Sequence, residues 1–274
     1  MIDPDELPSN ERAVLARVKV NAPATRLKDG LLEKIVAWRV HPEVGLDGKA
    51  LDTLSRAEME TLARKLDQAG LKPTVHGPFM DLAPGAADRL ILEATRRRMD
   101  QSLETAALFH PLHVVYHANY DETRYGDSPD RWLETSLETW RPLSRRAREL
   151  GFGLVLENVY ENGPEELARL LEALAPEGVG FCLDVGHATV FGRASIMAWL
   201  EALRVRLAAL HLHDNHGRYD EHLAIGRGRI DFQALFAWLN SQNLQPLVTM
   251  EPHYEEQLRP SLIALAKLWP WSLD

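Results

Sequence analysis

The chain has 274 residues and a net charge of −9, from 31 lysines and arginines against 40 aspartates and glutamates. This length accommodates one large α/β domain, and the acidic balance offers no broad electrostatic surface to a nucleic-acid backbone. The single cysteine, Cys182, lies in the apolar run 179–185, which indicates a buried packing position in a reduced compartment. No run of eighteen apolar residues is present, and the first residues have neither a basic start nor an apolar segment, so we expect a cytoplasmic protein with no membrane partner.

Strand and helix patterns alternate along the chain after a polar lead-in over residues 1–17. Strands are predicted over 18–21, 43–46 (weak), 73–76, 112–117, 153–157, 179–184, 207–211 and 247–251. Helices are predicted over 28–40, 55–70, 86–109, 129–150, 164–174, 194–206, 232–240 and 255–268. Strict alternation with apolar strands implies a parallel sheet covered on both faces. Eight such units favour a single (β/α)8 TIM barrel domain over residues 1–274, rather than an open doubly wound sheet. No glycine-rich dinucleotide loop follows an early strand, which agrees with the closed form.

Six consecutive predicted strands end in a side chain that can bind a metal ion. These residues are His76, His117, Glu157, Asp184, His211 and Glu251. The carboxyl ends of barrel strands form one mouth, where the chemistry of this architecture is assembled. Each residue alone is also compatible with a turn cap, a half-buried histidine or an ion pair. As a group they indicate a cation site, because several buried carboxylates repel one another unless positive charge neutralises them.

The stretch 207–230 is the richest in polar residues. A short apolar strand leads into His211, His213, Asp214, His216, Asp220 and His222, which precede a Gly-Arg-Gly turn. A solvated, histidine-rich loop is the alternative interpretation. Asp220 and His222 alternate, which in an extended loop predicts that both face the same side.

His187 extends the candidate set because it follows Asp184 at i+3, and Gly186 is expected to let the backbone turn so that both side chains face inward. With Asp220, His222 and the strand ends, the set reaches nine candidate ligands. One ion is satisfied by about four to six ligands, so the set indicates more than one ion, or one ion with catalytic acid and base groups.

These residues resemble the motifs of the xylose isomerase-like TIM barrel superfamily, which includes sugar isomerases and epimerases and apurinic endonucleases of the endonuclease IV type (AP endonuclease family 2). The resemblance extends from about Val18 to Leu268. Its landmarks are His-Gly-Pro-Phe at 76–79, His117 after Val-Val-Tyr, Leu-Glu-Asn at 156–158, Leu-Asp-Val-Gly-His at 183–187, His-Leu-His-Asp at 211–214, Asp-Glu-His-Leu-Ala-Ile-Gly at 220–226 and Met-Glu-Pro at 250–252.

Isomerases of this superfamily hold one ion with four ligands and have an arginine before the Gly-x-Gly turn. In this chain His222 stands in the place of that arginine and Asp220 precedes it, which is similar to the endonuclease branch with its three zinc-type ions. The resemblance therefore implies two or three divalent ions, Zn, Mn or Fe. It implies the ligand sets His76, His117 and Glu157; Glu157, Asp184, His211 and Glu251; and His187, Asp220 and His222.

The same resemblance implies hydrolysis of a phosphodiester, with Glu157, Glu251 and His187 as catalytic residues. Some members with the complete ligand set cleave small molecules, including the nucleotide loop of cobamides. The negative charge and the lack of a lysine and arginine cluster argue against nucleic acid, so we expect a small phosphorylated or sugar-like substrate, nucleotide-like or cobamide-like.

Four residues are predicted to contact the substrate: Phe79, Asn158, Arg218 and Arg227. Phe79 is interpreted as a pocket wall, with a wedge at an abasic site as the alternative. Surface salt bridges are the alternative for the arginines. His213 and Asp214, together with His216 and His253, are predicted to orient metal-bound imidazoles. Tyr116, Tyr120 and Tyr160 are compatible with packing or with substrate contact.

Three other functions remain open at this point. A sugar (phosphate) isomerase or epimerase would use Glu157 and Glu251 for proton transfer, an apurinic endonuclease would act on DNA, and a non-enzymatic barrel would only bind a ligand. The sequence does not predict an oligomeric state.

Overall fold

The computed structural model describes residues 6–273, and eight parallel strands close into one barrel. Each strand pairs with its neighbours in chain order, and the last pairs with the first. The strands are β1 (Lys19–Pro23), β2 (His41–Gly45), β3 (Thr74–His76), β4 (His113–His117), β5 (Gly153–Glu157), β6 (Gly180–Asp184), β7 (Leu207–Leu212) and β8 (Leu247–Met250). The prediction of a single TIM barrel is confirmed, including the weak second strand.

Helices surround the barrel and connect its strands. They are α1 (Ser9–Leu15), α2 (Ala24–Arg26), α3 (Leu32–Ala37), α4 (Gly48–Thr53), α5 (Arg56–Gln68), α6 (Arg89–Ala106), α7 (Glu122–Tyr125), α8 (Pro129–Glu149), α9 (Glu165–Ala173), α10 (Val185–Val190), α11 (Ile196–Leu203), α12 (Phe232–Ser241) and α13 (Leu258–Leu268). Single 3-10 turns lie at Ala107–Phe109, Ala175–Glu177, Arg204–Arg206 and Glu255–Gln257. No helix within residues 6–273 is long and apolar enough to cross a membrane.

The first 40 residues differ most from the prediction. The polar lead-in contains helix α1, whose Val14 and Leu15 are buried and which packs against α13; residues 1–5 lie outside the described part. The helix predicted over 28–40 is interrupted by a π-type turn, Leu27–Leu31, in which Gly30 has a φ of 108°. Only residues 32–37 then form a regular helix, because a left-handed residue ends the helical hydrogen-bond ladder.

Local capping chemistry sets where helices α5 and α6 begin. Ser55 caps α5 with a capping box in which Glu58 bonds back to the Ser55 backbone, as the sequence pattern indicates. Helix α6 begins at Arg89 rather than at residue 86, because the Asp88 carboxylate accepts the backbone N–H groups of Leu90 and Ile91.

A small apolar layer inside the barrel supports the mouth. It consists of Val115, Val155, Cys182 and Ala209, all buried. Each lies two residues before a strand-end donor and therefore points to the same inward side of its strand. The predicted packing position of Cys182 is confirmed. The donors at the mouth lie directly above this buried apolar layer.

Candidate metal centre

Glu157, at the end of β5, lies at the centre of the donor cluster. Its Oε2 atom is 3.1 Å from His76 Nε2, 3.6 Å from His117 Nε2 and 3.2 Å from His211 Nδ1. His211 Nδ1 is in turn 3.1 Å from Glu251 Oε1. The ends of five strands thus bring these donors to one point, as the strand-end pattern predicts. His76, His117 and Glu157 form one group whose ligand atoms lie within 4.8 Å of one another.

A second group lies on the other side of Glu157. It consists of His187, His213, Asp220 and His222, with ligand atoms within 4.8 Å of one another. Asp220 Oδ2 is 3.1 Å from His222 Nε2 and 3.5 Å from His187 Nε2. His187 connects the two groups, because its Nδ1 atom is 3.1 Å from Glu157 Oε1 and 3.6 Å from Asp184 Oδ2. The structure therefore brings all nine predicted donors to the mouth.

His213 reaches this second group, although the sequence analysis predicted only an orienting role for it. Its ring stacks on His222 at a centroid distance of 3.7 Å, and its Nε2 atom is 3.2 Å from both carboxylate oxygens of Asp184. The space for this ring comes from Gly186, where an added Cβ would lie 1.9 Å from His213 Cε1. Gly186 is thus required for close approach, not for the sharp turn that was expected. His187 instead lies in helix α10, which Asp184 caps by accepting the His187 N–H at 2.6 Å.

The loop that carries Asp220 and His222 is organised by Asp214. The buried Asp214 carboxylate accepts backbone N–H groups from residues 215, 226, 228 and 230 at 2.8–3.2 Å. The backbone of Asp214 also pairs with that of Leu223. The expected extended geometry is wrong, because His222 has a left-handed φ of 48°. Asp220 and His222 still face each other, since the Asp214 bonds close the loop on itself.

Glu43, in the middle of β2, is a residue that the sequence analysis missed. It is buried, and its Oε2 accepts hydrogen bonds from Thr74 Oγ1 at 2.8 Å and Thr249 Oγ1 at 3.2 Å. Its Oε1 is 3.1 Å from His211 Nε2, on the side of the ring away from Glu157 and Glu251. A carboxylate behind a metal-ligating imidazole fixes the ring orientation and raises its basicity. An inward charged residue in a short apolar strand was the available signal.

Asn158, predicted to contact the substrate, is buried and supports the donors from below. Its side-chain amide accepts the Asp184 N–H at 2.9 Å and donates to the Asp184 carbonyl at 3.0 Å. The Asn158 carbonyl lies 3.1 Å from His187 Nδ1. These contacts link the ends of β5 and β6, so Asn158 fixes the spacing between Glu157 and Asp184.

Burial and mutual contact strongly shift the pKa values of the cluster. Burial disfavours the charged form of Glu157, but the neighbouring His211 and His117 outweigh it and hold the pKa of Glu157 well below its usual value. Burial lowers the pKa of His211 and His187, yet adjoining carboxylates raise both well above the ordinary value. Burial lowers the pKa of His117 to about 3. Positive charge on imidazoles therefore balances the buried carboxylates, and a bound cation can take over that role while releasing protons.

The donor chemistry fits divalent cations. Several buried atoms at the mouth have no hydrogen-bond partner among the described residues, namely Glu157 Oε1, His211 Nδ1, His213 Nδ1 and Asp220 Oδ1. Each lies 3.1–3.7 Å from a nitrogen or oxygen of another residue in the cluster, but the angles are wrong for a hydrogen bond. Atoms that bind a shared ion are expected to be arranged in this way. Imidazole and carboxylate are the ligand types of Zn, Mn and Fe. Such ions would be held by the two donor groups, namely His76, His117 and Glu157, and His187, His213, Asp220 and His222.

A cavity of about 440 Å³ opens onto these donors. Phe79 lines it, which agrees with its interpretation as a wall, and so do Tyr160 and His253. Arg218 and Arg227 belong to the Asp214 loop but are not among its lining residues, so their substrate contact stays a prediction.

Three other polar candidates lie elsewhere or serve packing. His216 is exposed and pairs with Glu221 at 3.0 Å, away from the cluster. Tyr116 is buried and bonds to Ser102, and Tyr120 is also buried, so both serve packing.

The chain belongs to the family described as the xylose isomerase-like TIM barrel, whose model matches residues 38–270. Among curated relatives, the protein MJ1311 of Methanocaldococcus jannaschii is 26% identical over 205 residues, which cover 72% of this chain and 70% of that protein. The probable endonuclease 4 of Mycobacterium leprae is 27% identical over 183 residues, covering 63% of this chain and 70% of the relative.

Solved structures of the same architecture match nearly the whole chain. The TTHB071 protein of Thermus thermophilus, soaked with ZnCl2, is 31% identical with a TM-score of 0.77, covering 92% of this chain and 98% of that one. A D-tagatose 3-epimerase-like protein is 23% identical with a TM-score of 0.76, covering 92% and 97%, and shows the shared fold. The names of these similar proteins thus include a probable endonuclease and an epimerase-like protein.

Proposed function

We propose that this protein is a metal-dependent hydrolase that cleaves a phosphodiester in a small, nucleotide-like or cobamide-like molecule, using two or three divalent ions at the barrel mouth. The observation that carries the proposal is the second donor group, His187, His213, Asp220 and His222, beside the group around Glu157. A single-ion isomerase centre needs about four to six ligands and has no use for this second group.

Each part of the cluster has a distinct role in this proposal. When bound, divalent ions supply positive charge to the phosphate oxygens and acidify a water molecule. Glu157 contacts both donor groups and fixes their positions relative to each other. Glu251 and His187 line the cavity beside it, where they can contact the reacting phosphate. Glu43 and Asn158 hold His211 and Asp184 from behind, so that the donors keep their geometry.

The cavity and the charge favour a small substrate over DNA. A volume of about 440 Å³ suits a molecule of cofactor or nucleotide size. The net charge of −9 opposes non-specific attachment to a phosphate backbone. The relatives lend support in name only: one was soaked with ZnCl2, and one is called a probable endonuclease 4.

A sugar isomerase or epimerase is the second candidate. Glu157 and Glu251 both line the cavity, an arrangement that two carboxylates in proton transfer would also need. The two candidates differ in what they require of His222, which belongs to the second donor group.

We expect the protein reconstituted with Zn, Mn or Fe(II) to hydrolyse bis(4-nitrophenyl) phosphate, and the variant His222→Ala to lose this activity by more than about a hundredfold. The control is His216→Ala, from the same loop, whose exposed ring contacts only Glu221 among the described residues. We expect this control to keep activity within about twofold, as surface substitutions usually do. Epimerisation of a ketose that survives His222→Ala, without diester hydrolysis by any of the three metal forms, would establish the second candidate instead. Nicking of an abasic DNA duplex at physiological salt would show that DNA is a substrate and would contradict the small-molecule proposal.

A further inference from the structure

One side of the cavity is an apolar wall formed by Phe79, Met80, Tyr160 and Phe191. Phe79 stacks on His117 at a centroid distance of 4.6 Å and meets His76 edge to face at 5.5 Å. Tyr160 and Phe191 meet edge to face at 5.1 Å, and Phe191 lies 5.8 Å from His187. The wall therefore extends from the first donor group to the second.

The wall presents large apolar side chains to solvent at the cavity mouth. Phe79 is 39% exposed, Met80 is 72% exposed and Tyr160 is 49% exposed. Phe79, Met80 and Tyr160 also line an adjoining cleft of about 110 Å³ that runs outward from the cavity. Aromatic side chains already ordered by ring contacts lose little conformational entropy when a ligand stacks on them, which makes them efficient binding surfaces.

The charges of the cavity define what the wall can accept. No lysine or arginine is found among the described residues that line it, whereas Glu157, Asp220 and Glu251 do line it. An anionic substituent on the organic part of a ligand would lie near these carboxylates and would meet no lysine or arginine of the cavity. Arg124, which lines the adjoining cleft, pairs with Asp121 at 3.3 Å. A phosphate must rely on the imidazoles and on bound cations. An uncharged flat ring gains stacking contact at no electrostatic cost.

Building on the proposed function, we propose that the substrate carries a flat, uncharged aromatic ring next to the scissile phosphodiester, and that this ring binds against Phe79 and Tyr160. In this proposal Phe79 and Tyr160 determine which substrate binds. Neither residue is a metal ligand, so substituting them should not remove a ligand atom from either donor group. The proposal names the class of substrate, an ester of phosphate with a group bearing an aromatic ring, as against an alkyl or purely sugar phosphate.

The test is calorimetric titration of the zinc-loaded protein with phenyl phosphate and with ethyl phosphate, two monoester products of such a diesterase, one with an aromatic and one with a small alkyl group. We expect phenyl phosphate to bind at least about fivefold more tightly, the lower range for a ring stacked on an aromatic side chain. The variants Tyr160→Ala and Phe79→Leu should bring the ratio to within about twofold. Zinc content, measured on each variant, should stay unchanged, since neither side chain offers a ligand atom.

The matched control is Leu112→Ala, because Leu112 is 47% exposed like Tyr160 but precedes β4 at the opposite end of the barrel. This variant should keep the wild-type ratio. A wild-type ratio near one, a ratio that survives both wall variants, or no binding of either phosphate would overturn the inference. Discrimination between the two phosphates without hydrolysis of any diester would leave this inference standing and overturn the proposed function. Hydrolysis of a diester without discrimination between the two phosphates would support the proposed function and overturn this inference.

Discussion

Glu157 is the residue on which the two donor groups depend together. Its two oxygens face different imidazoles, Oε2 toward His76 and His211 and Oε1 toward His187. A carboxylate in this position would be a ligand for ions in both groups, and its removal would take one negative charge and one ligand from each. His187 also contacts both groups, through Glu157 and Asp220, so its loss should likewise affect both.

Glu43 is expected to strengthen metal binding through its contact with His211. The substitution Glu43→Gln keeps the shape but removes the negative charge 3.1 Å from His211 Nε2. We expect metal affinity to fall by about 10–100-fold, because the partner behind a ligating imidazole sets its orientation and basicity. Competition with a chelating dye measures this. Glu177→Gln serves as the control, since Glu177 is also buried but pairs with Arg145 of α8, outside the barrel. Equal effects of the two substitutions would show that Glu43 only supports folding.

The pH dependence of metal binding follows from His222. Burial lowers its pKa, but Asp220 and Glu251 raise it more, and the pKa stands at about 9. Below that pH the ion-free protein holds a proton on His222, and a metal ion must displace it. Affinity at the second donor group should therefore rise with pH up to about 9, by at least about tenfold per pH unit, because His187, whose pKa is also raised, must release its proton as well. Chelator competition between pH 6.5 and pH 10 measures it, and affinity that is flat or falls over pH 6.5–9 would contradict this linkage.

Strand-end donors could be predicted from the sequence because a barrel concentrates chemistry at one end of its strands. His76, His117, Glu157 and Asp184 each terminate an apolar run, so a one-dimensional pattern marks them. Glu43 could not be found this way, since it sits in mid-strand and its role depends on which neighbour, His211, stands across the barrel.

At the scale of elements, the loop after β7 matters most. It forms no helix or strand of its own between Leu212 and Phe232, yet it carries Asp220 and His222. Its order comes from the carboxylate of Asp214 and four backbone N–H groups. Gly228 allows this closure, because an added Cβ there would lie 2.3 Å from the Asp214 carboxylate.

The substitution Asp214→Asn should loosen this loop. One carboxylate oxygen becomes an NH2 donor that faces backbone N–H groups, which costs about 1–3 kcal/mol of folding stability. We expect faster amide hydrogen exchange over residues 215–230 and weaker metal binding by His222 and Asp220. The control is Asp231→Asn, the same substitution at the N-cap of α12, where the asparagine oxygen can still accept the Ala234 N–H, so exchange over residues 215–230 should not change. Unchanged exchange in Asp214→Asn would refute this role.

Elements were predictable where local chemistry decides them and not where packing does. Ser55 marks the start of α5 through its own side chain. Helix α10 was missed because it is only six residues long and depends on the Asp184 cap and on space left by Gly186 for His213. The break near Gly30 likewise depends on a backbone angle that composition does not reveal.

At the scale of the whole molecule, the closed barrel makes distant residues neighbours. Donors from position 76 to position 251 meet because eight parallel strands end on the same rim. Alternation of strands and helices was sufficient to predict this arrangement. The choice of cation and of substrate depends on side-chain placement at the rim, which the strand pattern alone does not specify.

The central claim is that the rim holds a multinuclear centre, and the most direct measurement is the number of ions per chain. Protein exchanged into metal-free buffer, reloaded with Zn, Mn or Fe(II) and desalted should contain two or three ions per chain by elemental analysis, and His222→Ala should contain about one fewer. One tightly bound ion in the wild-type protein, unchanged in His222→Ala, would contradict the account.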